Sequence, residues 1–293
     1  MPKIVDIDQN ALSTLYTSNK LGSYEIAQKL GCSQSLVMKR LKEYGIPTRN
    51  VQEAKALIKP RYPRKNFSNN PVEKAYMIGF RLGDLYVSKT HPNSPTIRIS
   101  TNTTKAAQIT LVKTLFMPYG HVRVYPKDQR GANSVRCYVN AGFSFLLPKH
   151  DKVDHWILKR RRTFFAFAAG YSDAEGTFCI CGGDGIFSIK SQDKKIVHTL
   201  WRYLNRYGIL CKHPFLGRRG GTVDRRGVKN NKDAWQLTIY RKDALLSFIK
   251  EMRPLLKHRQ KVKEMMLVKE NIDNRNRKFG YRKDNRWYKT YTI

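Results

Sequence analysis

Apolar and polar positions follow one order twice along most of the chain: helix, strand, strand, helix, strand, strand, helix. Apolar residues spaced three and four apart predict the helices, and alternation with a period of two predicts the strands. The first round has helices over 72–83, 106–117 and 143–147 and strands over 85–89, 96–101, 121–125 and 134–139. The second round has helices over 163–176, 195–207, 244–253 and 260–271 and strands over 177–181, 186–191, 209–215 and 234–240. This pattern predicts an α+β fold, and residues 272–293 show no period that we can assign.

The two rounds also have matching spacing. The separation between Asp84 and Glu175 differs by only one residue from that between Ile99 and Ile189. We therefore expect two pseudo-symmetric αββαββα halves related by a pseudo-twofold axis. Their boundaries are 72–150 and 151–293, the second with a basic C-terminal tail. Duplex DNA has local twofold symmetry in its backbone, and two twisted sheets would follow its groove as a DNA-binding saddle.

Small residues and acids meet at the end of the first helix of each round. Gly79 and Gly83 precede Asp84 in one round, and Gly170 lies in the helix that precedes Glu175 in the other. Small residues allow two helices to pack closely. Anions are unfavourable at a helix C-terminus, so an acid there indicates a nearby cation or a functional role. A single copy is interpreted more simply as a solvated acidic turn, but the second copy favours the functional interpretation.

Composition adds a large excess of positive charge. Lys and Arg number 56 against 22 Asp and Glu, for a formal net charge of +34. Such an excess indicates binding to a polyanion, and nucleic acid is favoured over a membrane surface. Residues 1–58 are nearly neutral, so the charge lies almost entirely on the rest of the chain. Residues 59–71 are basic, Pro-rich and aperiodic, which predicts a linker.

The first 58 residues predict a small all-α domain. Its three short helices cover 9–16, 24–30 and 34–44. Asp8, Ser23 and Ser33 are placed to cap them, and Gly31 is placed to form a turn. The segment is similar to helix-turn-helix DNA-binding units, in which the second helix of the pair, here 34–44, enters the major groove. That helix would present Ser33, Gln34, Ser35, Lys39 and Arg40. A helical hairpin that packs on the next domain is the simpler alternative.

The five cysteines do not follow the spacing of a metal site or a disulfide framework. None belongs to a C-x-x-C pair and their number is odd, so we expect reduced core or strand residues. No apolar run is long enough to span a membrane, and the first residues lack the apolar region of a signal peptide. We therefore expect an intracellular protein, in the cytoplasm or nucleoid, or in an organelle if the host is eukaryotic.

Close packing of the two acid-bearing helices would bring Asp84 and Glu175 together. Two adjacent carboxylates repel each other and also repel DNA phosphates, and a divalent cation relieves both effects. Mg²⁺ suits this arrangement because it takes a few carboxylates, with water and phosphate oxygens as the remaining ligands. Metal held there would activate a water and stabilise the leaving 3′ oxygen of a phosphodiester. The charges and the duplication thus predict a nuclease site.

Residues 168–176, with the sequence AAGYSDAEG, resemble the LAGLIDADG motif of homing endonucleases. Residues 78–86, IGFRLGDLY, resemble a looser first copy of that motif. The resemblance covers about residues 72–270 and is to the monomeric class with two motifs. It implies double-strand DNA cleavage at a long, nearly asymmetric site that leaves short 3′ overhangs. The acid that binds metal near the end of each motif in the family corresponds to Asp84 and to Glu175.

The two copies differ from the family pattern in detail. In the first copy, Leu82 stands where an earlier acid often lies and Leu85 replaces the final Gly, but the metal-binding carboxylate is retained. In the second copy, Asp173 corresponds to that earlier acid, which is usually structural in the family. The resemblance therefore implies one metal-binding acid from each half.

The resemblance also implies polar and basic residues around the acids. Asn102 and Gln192 follow the second hairpin strand of each half, as residues of the outer active-site shell do in the family. Lys149 and Lys261 are candidates for the basic residue at the edge of the site in each half, and Arg259 competes with Lys261. The simpler interpretation of each lysine is a solvated charge in a basic chain.

Within this interpretation, the strands contact bases and the loops contact phosphates. Polar residues that alternate with apolar ones would line the DNA-facing surfaces of the sheets. These residues are Arg98, Arg123, Arg136, Lys190, Gln236 and Thr238. A long basic loop in the second half adds Arg218, Arg219, Arg225 and Arg226.

The main alternative is a cleavage-inactive protein of the same fold, either an intron maturase that binds its own intron RNA or a DNA-binding transcriptional regulator. Loss of cleavage usually removes one acid, and the presence of both Asp84 and Glu175 favours the enzyme. A structural RNA-binding protein would explain the charge and leave the paired motifs unexplained. No splicing domain flanks the repeats, which disfavours an intein. We therefore expect an intron-encoded monomer that cleaves double-stranded DNA with Mg²⁺.

Overall fold

The computed structural model describes residues 6–51, 53–54, 62–223, 227, 229–283 and 286–288. The chain divides into two compact units, Met1–Tyr62 and Pro63–Ile293. The larger unit includes residues that the composition assigns to the linker, since Phe67 is buried against the rings of Tyr119 and Phe143. The chain just before the first helix of the larger unit is therefore already packed onto the core of that unit.

The smaller unit is helical. Its elements are α1 Gln9–Ser13, a π-helix Thr14–Ser18, α2 Ser23–Leu30 and α3 Gln34–Glu43. They enclose a core of their own that includes Leu12, Ile26, Val37 and Leu41. The turn between α2 and α3 passes through Gly31, whose φ of 66° is a left-handed conformation that suits glycine.

Two of the three caps expected in this unit are present. The N–H of Ala11 donates to Oδ2 of Asp8 at 2.8 Å, and Ser33 Oγ accepts from the N–H of Leu36 at 3.2 Å. The prediction for Ser23 is wrong, because the N-cap of α2 is Gly22 and Ser23 is the first helical residue. Glu25 provides the capping interaction instead, since its carboxylate accepts from the N–H of Gly22 at 2.8 Å.

The larger unit contains the two expected rounds. The first consists of α4 Pro71–Asp84, β1 Tyr86–Lys89, β2 Ile97–Thr103, α5 Ala106–Phe116, β3 Val122–Lys127, β4 Asn133–Val139 and a 3₁₀ helix Ala141–Leu146. The second consists of α6 His155–Leu158, α7 Arg161–Glu175, β5 Gly176–Cys181, β6 Asp184–Ser191, α8 Lys194–Arg206, β7 Phe215–Arg218, β8 Ala234–Ile239, α9 Lys242–Met252 and α10 Arg259–Phe279. Two short strands follow, β9 Tyr281–Lys283 and β10 Arg286–Tyr288. The α+β prediction with two similar halves is confirmed.

The sheets of the two halves have the same topology. Their strand orders are β1-β2-β4-β3 and β5-β6-β8-β7, and every pairing is antiparallel. One face of each sheet is buried, as shown by Ile97 and Ile99 in β2 and by Leu237 and Ile239 in β8. Polar side chains alternate with these residues and occupy the other face. One hydrophobic core runs beneath both sheets.

Helices α4 and α7 pack directly against each other at their glycines. A Cβ atom on Gly79 would clash with the backbone carbonyl of Phe167, and one on Gly170 would lie 2.9 Å from the backbone N of Phe80. The two helices therefore cross with backbone against backbone, as the small residues predict. Since Asp84 is the last residue of α4 and Glu175 the last of α7, the crossing carries both acids toward the same end of the helix pair.

The strand predicted over 209–215 is wrong, because β7 begins only at Phe215. Side chains of α8 bind the backbone of this segment. The N–H of Cys211 donates to Asn205 Oδ1 at 3.2 Å, and its carbonyl accepts from Trp201 Nε1 at 3.2 Å. These bonds replace strand pairing, and Pro214 has no N–H to donate to a ladder.

Two predicted helices have different extents or types. The helix predicted over 260–271 continues to Phe279 and ends at Gly280, whose φ is 75°. Its apolar stripe packs on the second sheet, where Val268 Cγ1 lies 2.9 Å from the position of a Cβ on Gly185. The segment predicted as a helix over 143–147 is the 3₁₀ helix Ala141–Leu146.

The five cysteines are free thiols, as expected. Cys137 is buried in the first sheet, whereas Cys179 and Cys181 are exposed on β5. Within the described ranges, no helix combines the length and apolar character needed to cross a bilayer.

Candidate active site

Asp84 ends α4 in a half-buried position. Its Oδ2 accepts a hydrogen bond of 2.8 Å from Nε2 of Gln108 in α5. Burial raises the pKa of Asp84, and the Gln108 hydrogen bond together with Lys261, Lys105 and Lys149 opposes that rise. Burial removes water that would stabilise the ionised carboxylate. A cation bound beside it would therefore be favourable.

Glu175 ends α7 in a similar position. Burial raises the pKa of Glu175, and the charges of Asp84 and Asp193 raise it further. The charge of Asp84 is thus near enough to act on the carboxyl of Glu175. Gly83 explains this proximity, because a Cβ placed on it would lie 3.4 Å from Glu175 Oε1. The crossing thus brings together the two acids that the sequence predicts as metal ligands.

Each acid opens into its own small cavity. Asp84 lines a cavity of about 200 Å³ whose other polar residues include Asn102, Lys105, Gln108 and Lys261. Glu175 lines a cavity of about 310 Å³ whose other polar residues include Lys149, Lys190, Gln192 and Asp193. Each cavity therefore contains one of the two proposed metal ligands, the side-chain amide expected beside it and one of the two lysines predicted at the edge of the site.

Each cavity contains one lysine from the same half as its acid, Lys105 or Lys190, and one from the opposite half. The two predicted lysines, Lys149 and Lys261, are the ones from the opposite half, so each lies beside the acid of the half for which it was not predicted. Lys149 follows the first round and lines the cavity of Glu175, which belongs to the second. Lys261 lies in α10 of the second round and lines the cavity of Asp84, which belongs to the first. Each half therefore contributes one of the two lysines beside the acid of the other half.

Lys261 is held by the C-terminal turn of α7. Its Nζ donates to the carbonyl of Ser172 at 2.8 Å and to that of Ala174 at 3.1 Å. Burial lowers the pKa of Lys261, while Asp173, Asp84 and Glu175 act in the opposite direction. The ammonium offsets the partial negative charge of the helix end, where Glu175 would otherwise be unfavourable. Arg259 is the exposed first residue of α10.

Asp173 has a different environment from the other two acids. It is 1% exposed and accepts hydrogen bonds from the hydroxyl of Tyr76 and from the backbone N–H groups of Lys257 at 2.8 Å and His258 at 3.1 Å. These bonds join α4, α7 and the start of α10. The contacts agree with the structural role that the family pattern assigns to this acid.

The donor set around Asp84 and Glu175 suits a hard divalent cation. Among the described residues, no cluster of three or more His, Cys, Asp or Glu side chains is arranged to hold a metal. Two carboxylates with open cavities beside them leave the remaining ligand positions to water and phosphate oxygens, which Mg²⁺ accepts. The residues present therefore fit Mg²⁺ better than a metal that requires a complete cage of protein ligands.

The predicted base-contacting residues lie on the outer sheet faces. Arg98, Arg123 and Arg136 alternate with buried residues of the first sheet, and Lys190, Gln236 and Thr238 do so in the second. Arg98 and Arg136 line a cavity of about 480 Å³ together with Asp84. The outer face of the first sheet is therefore continuous with the acid at its edge.

The basic loop residues are partly described. Arg218 lies in β7, lines the cavity of Glu175 and donates to Asn230 Oδ1 at 2.8 Å. Arg219 is exposed just beyond β7. Arg225 and Arg226 lie outside the described residues.

The helix-turn-helix candidates lie at the start and along α3 of the smaller unit. Ser33 is the N-cap, and Gln34 donates to Ser23 Oγ at 3.0 Å. Lys39 and Arg40 both pair with Glu43, at 3.7 Å and 2.8 Å. Exposed pairs of this kind contribute little to stability, so both cations are free to exchange Glu43 for a phosphate. Ser35 is exposed on the first turn.

Three site residues escaped the sequence analysis. Gln108 is buried on the inner side of α5, where the apolar pattern predicts Ile109. Lys105 precedes α5, and Asp193 precedes α8 while accepting from the hydroxyl of Tyr171 at 3.1 Å. In the sequence, a polar residue within the apolar stripe of α5 indicates Gln108. No comparable pattern indicates Lys105 or Asp193.

Comparison with known proteins gives likenesses at the level of fold. No family model matches the chain, and no curated protein matches it. The homing endonuclease I-WcaI bound to its DNA recognition sequence is 17% identical, with a TM-score of 0.47, over 75% of this chain and 96% of that one. I-DmoI in complex with DNA and Ca is 20% identical, with a TM-score of 0.44, over 64% and 91%. The N-terminal LAGLIDADG domain of DUF199/WhiA is 12% identical, with a TM-score of 0.41, over 64% and 83%.

Proposed function

We propose that this chain of LAGLIDADG fold is a site-specific double-strand DNA endonuclease that requires a divalent metal. One observation carries the proposal: Asp84 and Glu175 end two helices that cross at their glycines, and each acid opens onto a polar sheet face. A purely structural crossing would not need two half-buried carboxylates, one of which raises the pKa of the other. Because one chain supplies both acids, the proposed active unit is a monomer.

Charge supports duplex DNA as the substrate. The chain carries a formal net charge of +34, and three arginines occupy the outer face of the first sheet. A duplex laid across both outer faces would place its backbone over the acids between them. Neutralised phosphates release counterions, so binding should weaken steeply as salt is raised. We assign the smaller unit an accessory role, in which α3 extends the contacted DNA through Gln34, Lys39 and Arg40.

The residues around the acids have separate roles in the proposed reaction. Asp84 and Glu175 would hold Mg²⁺, which supplies a Lewis acid for activating water and stabilising the leaving 3′ oxygen. The Gln108 hydrogen bond fixes the carboxylate of Asp84. Lys149 and Lys261 add positive charge beside the two acids, where it stabilises charge that develops on phosphate.

This proposal can be tested with a plasmid in which the two DNA sequences that flank the gene are joined directly to each other. The wild-type protein with Mg²⁺ should linearise the plasmid, and Asp84→Asn or Glu175→Gln should abolish cleavage while binding in a gel-shift assay persists. Asp243→Asn, which changes an exposed carboxylate in α9, serves as the matched control and should cleave normally. Tight binding to the true site without cleavage by the wild-type protein would instead identify a cleavage-inactive binding protein.

A further inference from the structure

Arg136 in β4 and Gln236 in β8 occupy equivalent positions in the two sheets. Arg136 is paired with Ser100 of β2, and Gln236 is paired with Lys190 of β6. Counted from the C-terminal ends of β4 and β8, each pair is the fourth of its ladder. Since the strand orders of the two sheets correspond, the pseudo-twofold relationship maps one residue onto the other.

Both residues lie near the centre of the molecule's proposed DNA-binding surface. Arg136 lines the cavity that contains Asp84. Gln236 lies beside Lys190, which lines the cavity that contains Glu175. Both side chains are half-exposed on the outer faces. They would therefore meet base pairs at equivalent distances on either side of the cleavage centre.

The guanidinium of Arg136 is oriented by stacking and is available to a ligand with hydrogen-bond acceptors. Its guanidinium lies over the ring of Tyr125 at 4.7 Å, and Arg123 lies over the same ring at 4.8 Å. Arg123 is also the direct strand partner of Arg136, and like charges in such a pair are destabilising. Neither arginine forms an ion pair with any described residue. Stacking restricts the guanidinium, which favours a planar, two-point contact.

Gln236 has no arginine as a strand partner, since it pairs with Lys190 of β6 and Phe215 of β7, and Arg218 lies farther along β7. Strands β5, β6 and β8 contain no arginine, and Lys190 is their one cation. Among the described residues, the Gln236 amide has one hydrogen bond, a long one of 3.4 Å to Thr238 Oγ1. Its donor and its acceptor are therefore both available to a ligand that offers one of each.

We propose that Arg136 selects guanine and that Gln236 selects adenine at two equivalent positions of the target, one in each half-site. In the major groove guanine presents two acceptors, N7 and O6, which match the paired donors of Arg. Adenine presents an acceptor and a donor, N7 and N6, which match the amide of Gln. The equivalent registers thus give an asymmetric target from a pseudo-symmetric protein. This inference rests on the proposed binding of duplex DNA.

Selection from a randomised duplex library by the full chain without divalent metal tests the inference, because it measures binding and not cleavage. The wild-type protein should enrich guanine at one position and adenine at the position related to it across the centre. Arg136→Gln should convert the guanine preference to adenine, and Gln236→Arg should make the reverse change at the other position. Each change should alter the preference by about tenfold or more. Arg202→Gln, on the exposed side of α8, should change neither position.

Two results would overturn the inference while leaving the proposed function intact. The first is that the wild-type protein enriches a specific sequence, but Arg136→Gln and Gln236→Arg leave the preferred base unchanged at the positions assigned to these residues. The second is an equal loss of affinity for all sequences on Arg136→Gln with a weaker salt dependence, which would identify a phosphate contact. If the wild-type protein enriched no sequence at all, the proposed site-specific function would fail first.

Discussion

The side-chain amide of Gln108 donates a hydrogen bond of 2.8 Å to Oδ2 of Asp84. Gln108 lies in α5, a helix that contains no part of either motif. This bond orients one of the two proposed metal ligands. Hydrogen bonds to charged groups are stronger than those between neutral groups.

Removing this bond should therefore slow cleavage and spare binding. We expect Gln108→Ala to lower the cleavage rate about tenfold, since a bond to a charged group contributes roughly 1.5–3 kcal/mol. Single-turnover cleavage at saturating Mg²⁺ measures the rate, and gel shift without metal measures binding. Gln260→Ala, at an exposed amide of α10, is the control. An unchanged rate for Gln108→Ala would show that the bond has no part in the chemistry.

The crossing of α4 and α7 should tolerate no added methyl group. A Cβ on Gly170 would lie 2.9 Å from the backbone N of Phe80, so the helices must separate to admit it. Gly170→Ala should lower the free energy of unfolding by at least about 2 kcal/mol, although alanine is the better helix former. Urea denaturation measures the loss, with Ser247→Ala on the exposed side of α9 as a control. A gain in stability would mean that the helices cross less closely.

Neutralising a proposed metal ligand should stabilise the metal-free protein. The pKa of Glu175 is raised by burial and by Asp84, so its ionised form is disfavoured in the folded state relative to the unfolded chain. Glu175→Gln should therefore increase the free energy of unfolding at neutral pH in EDTA, as measured by urea denaturation. Glu270→Gln, at an exposed acid of α10, should change it by less than about 0.5 kcal/mol. A destabilised Glu175→Gln protein would indicate that the carboxylate has a structural partner.

His258 should make the protein sensitive to acid. It is 2% exposed at the N-cap of α10, and burial together with Lys261 and Lys105 lowers its pKa from 6.5 to about 4. A lowered pKa favours the neutral ring in the folded state, so stability is retained above pH 6.5 and is lost as the pH falls toward 4. The loss should approach about 3 kcal/mol. His258→Asn should flatten the difference in stability between pH 7 and pH 4, and equal slopes for both proteins would refute the assignment.

The smaller unit should affect the length of the contacted DNA and not the chemistry. Because the acids, their lysines and both sheets all lie in the larger unit, deletion of residues 1–58 should leave cleavage of the target intact. A hydroxyl-radical footprint should become shorter. If the footprint kept its length, the helix-turn-helix assignment would lose its support.

The sequence predicts most of this architecture because local periodicity and the duplication agree. Asp84 and Glu175 can be identified from two motifs, since each ends a helix with small residues at matching positions. Gln108 cannot be identified in this way, because its partner lies in another helix and only the fold brings them together. The same limit explains the error at 209–215, where side chains of α8 take the backbone hydrogen bonds that a strand would use.

The cavity of Glu175 contains Lys149 from the first half, and the cavity of Asp84 contains Lys261 from the second. Each half thus supplies a lysine beside the proposed metal ligand of the other half. A chimera that joins one half to the corresponding half of another protein would replace one of the two lysines beside each acid with a residue of that protein. Under the proposed function, recombining the target specificities of two such proteins should therefore exchange the sheets and retain the segments that carry Lys149 and Lys261.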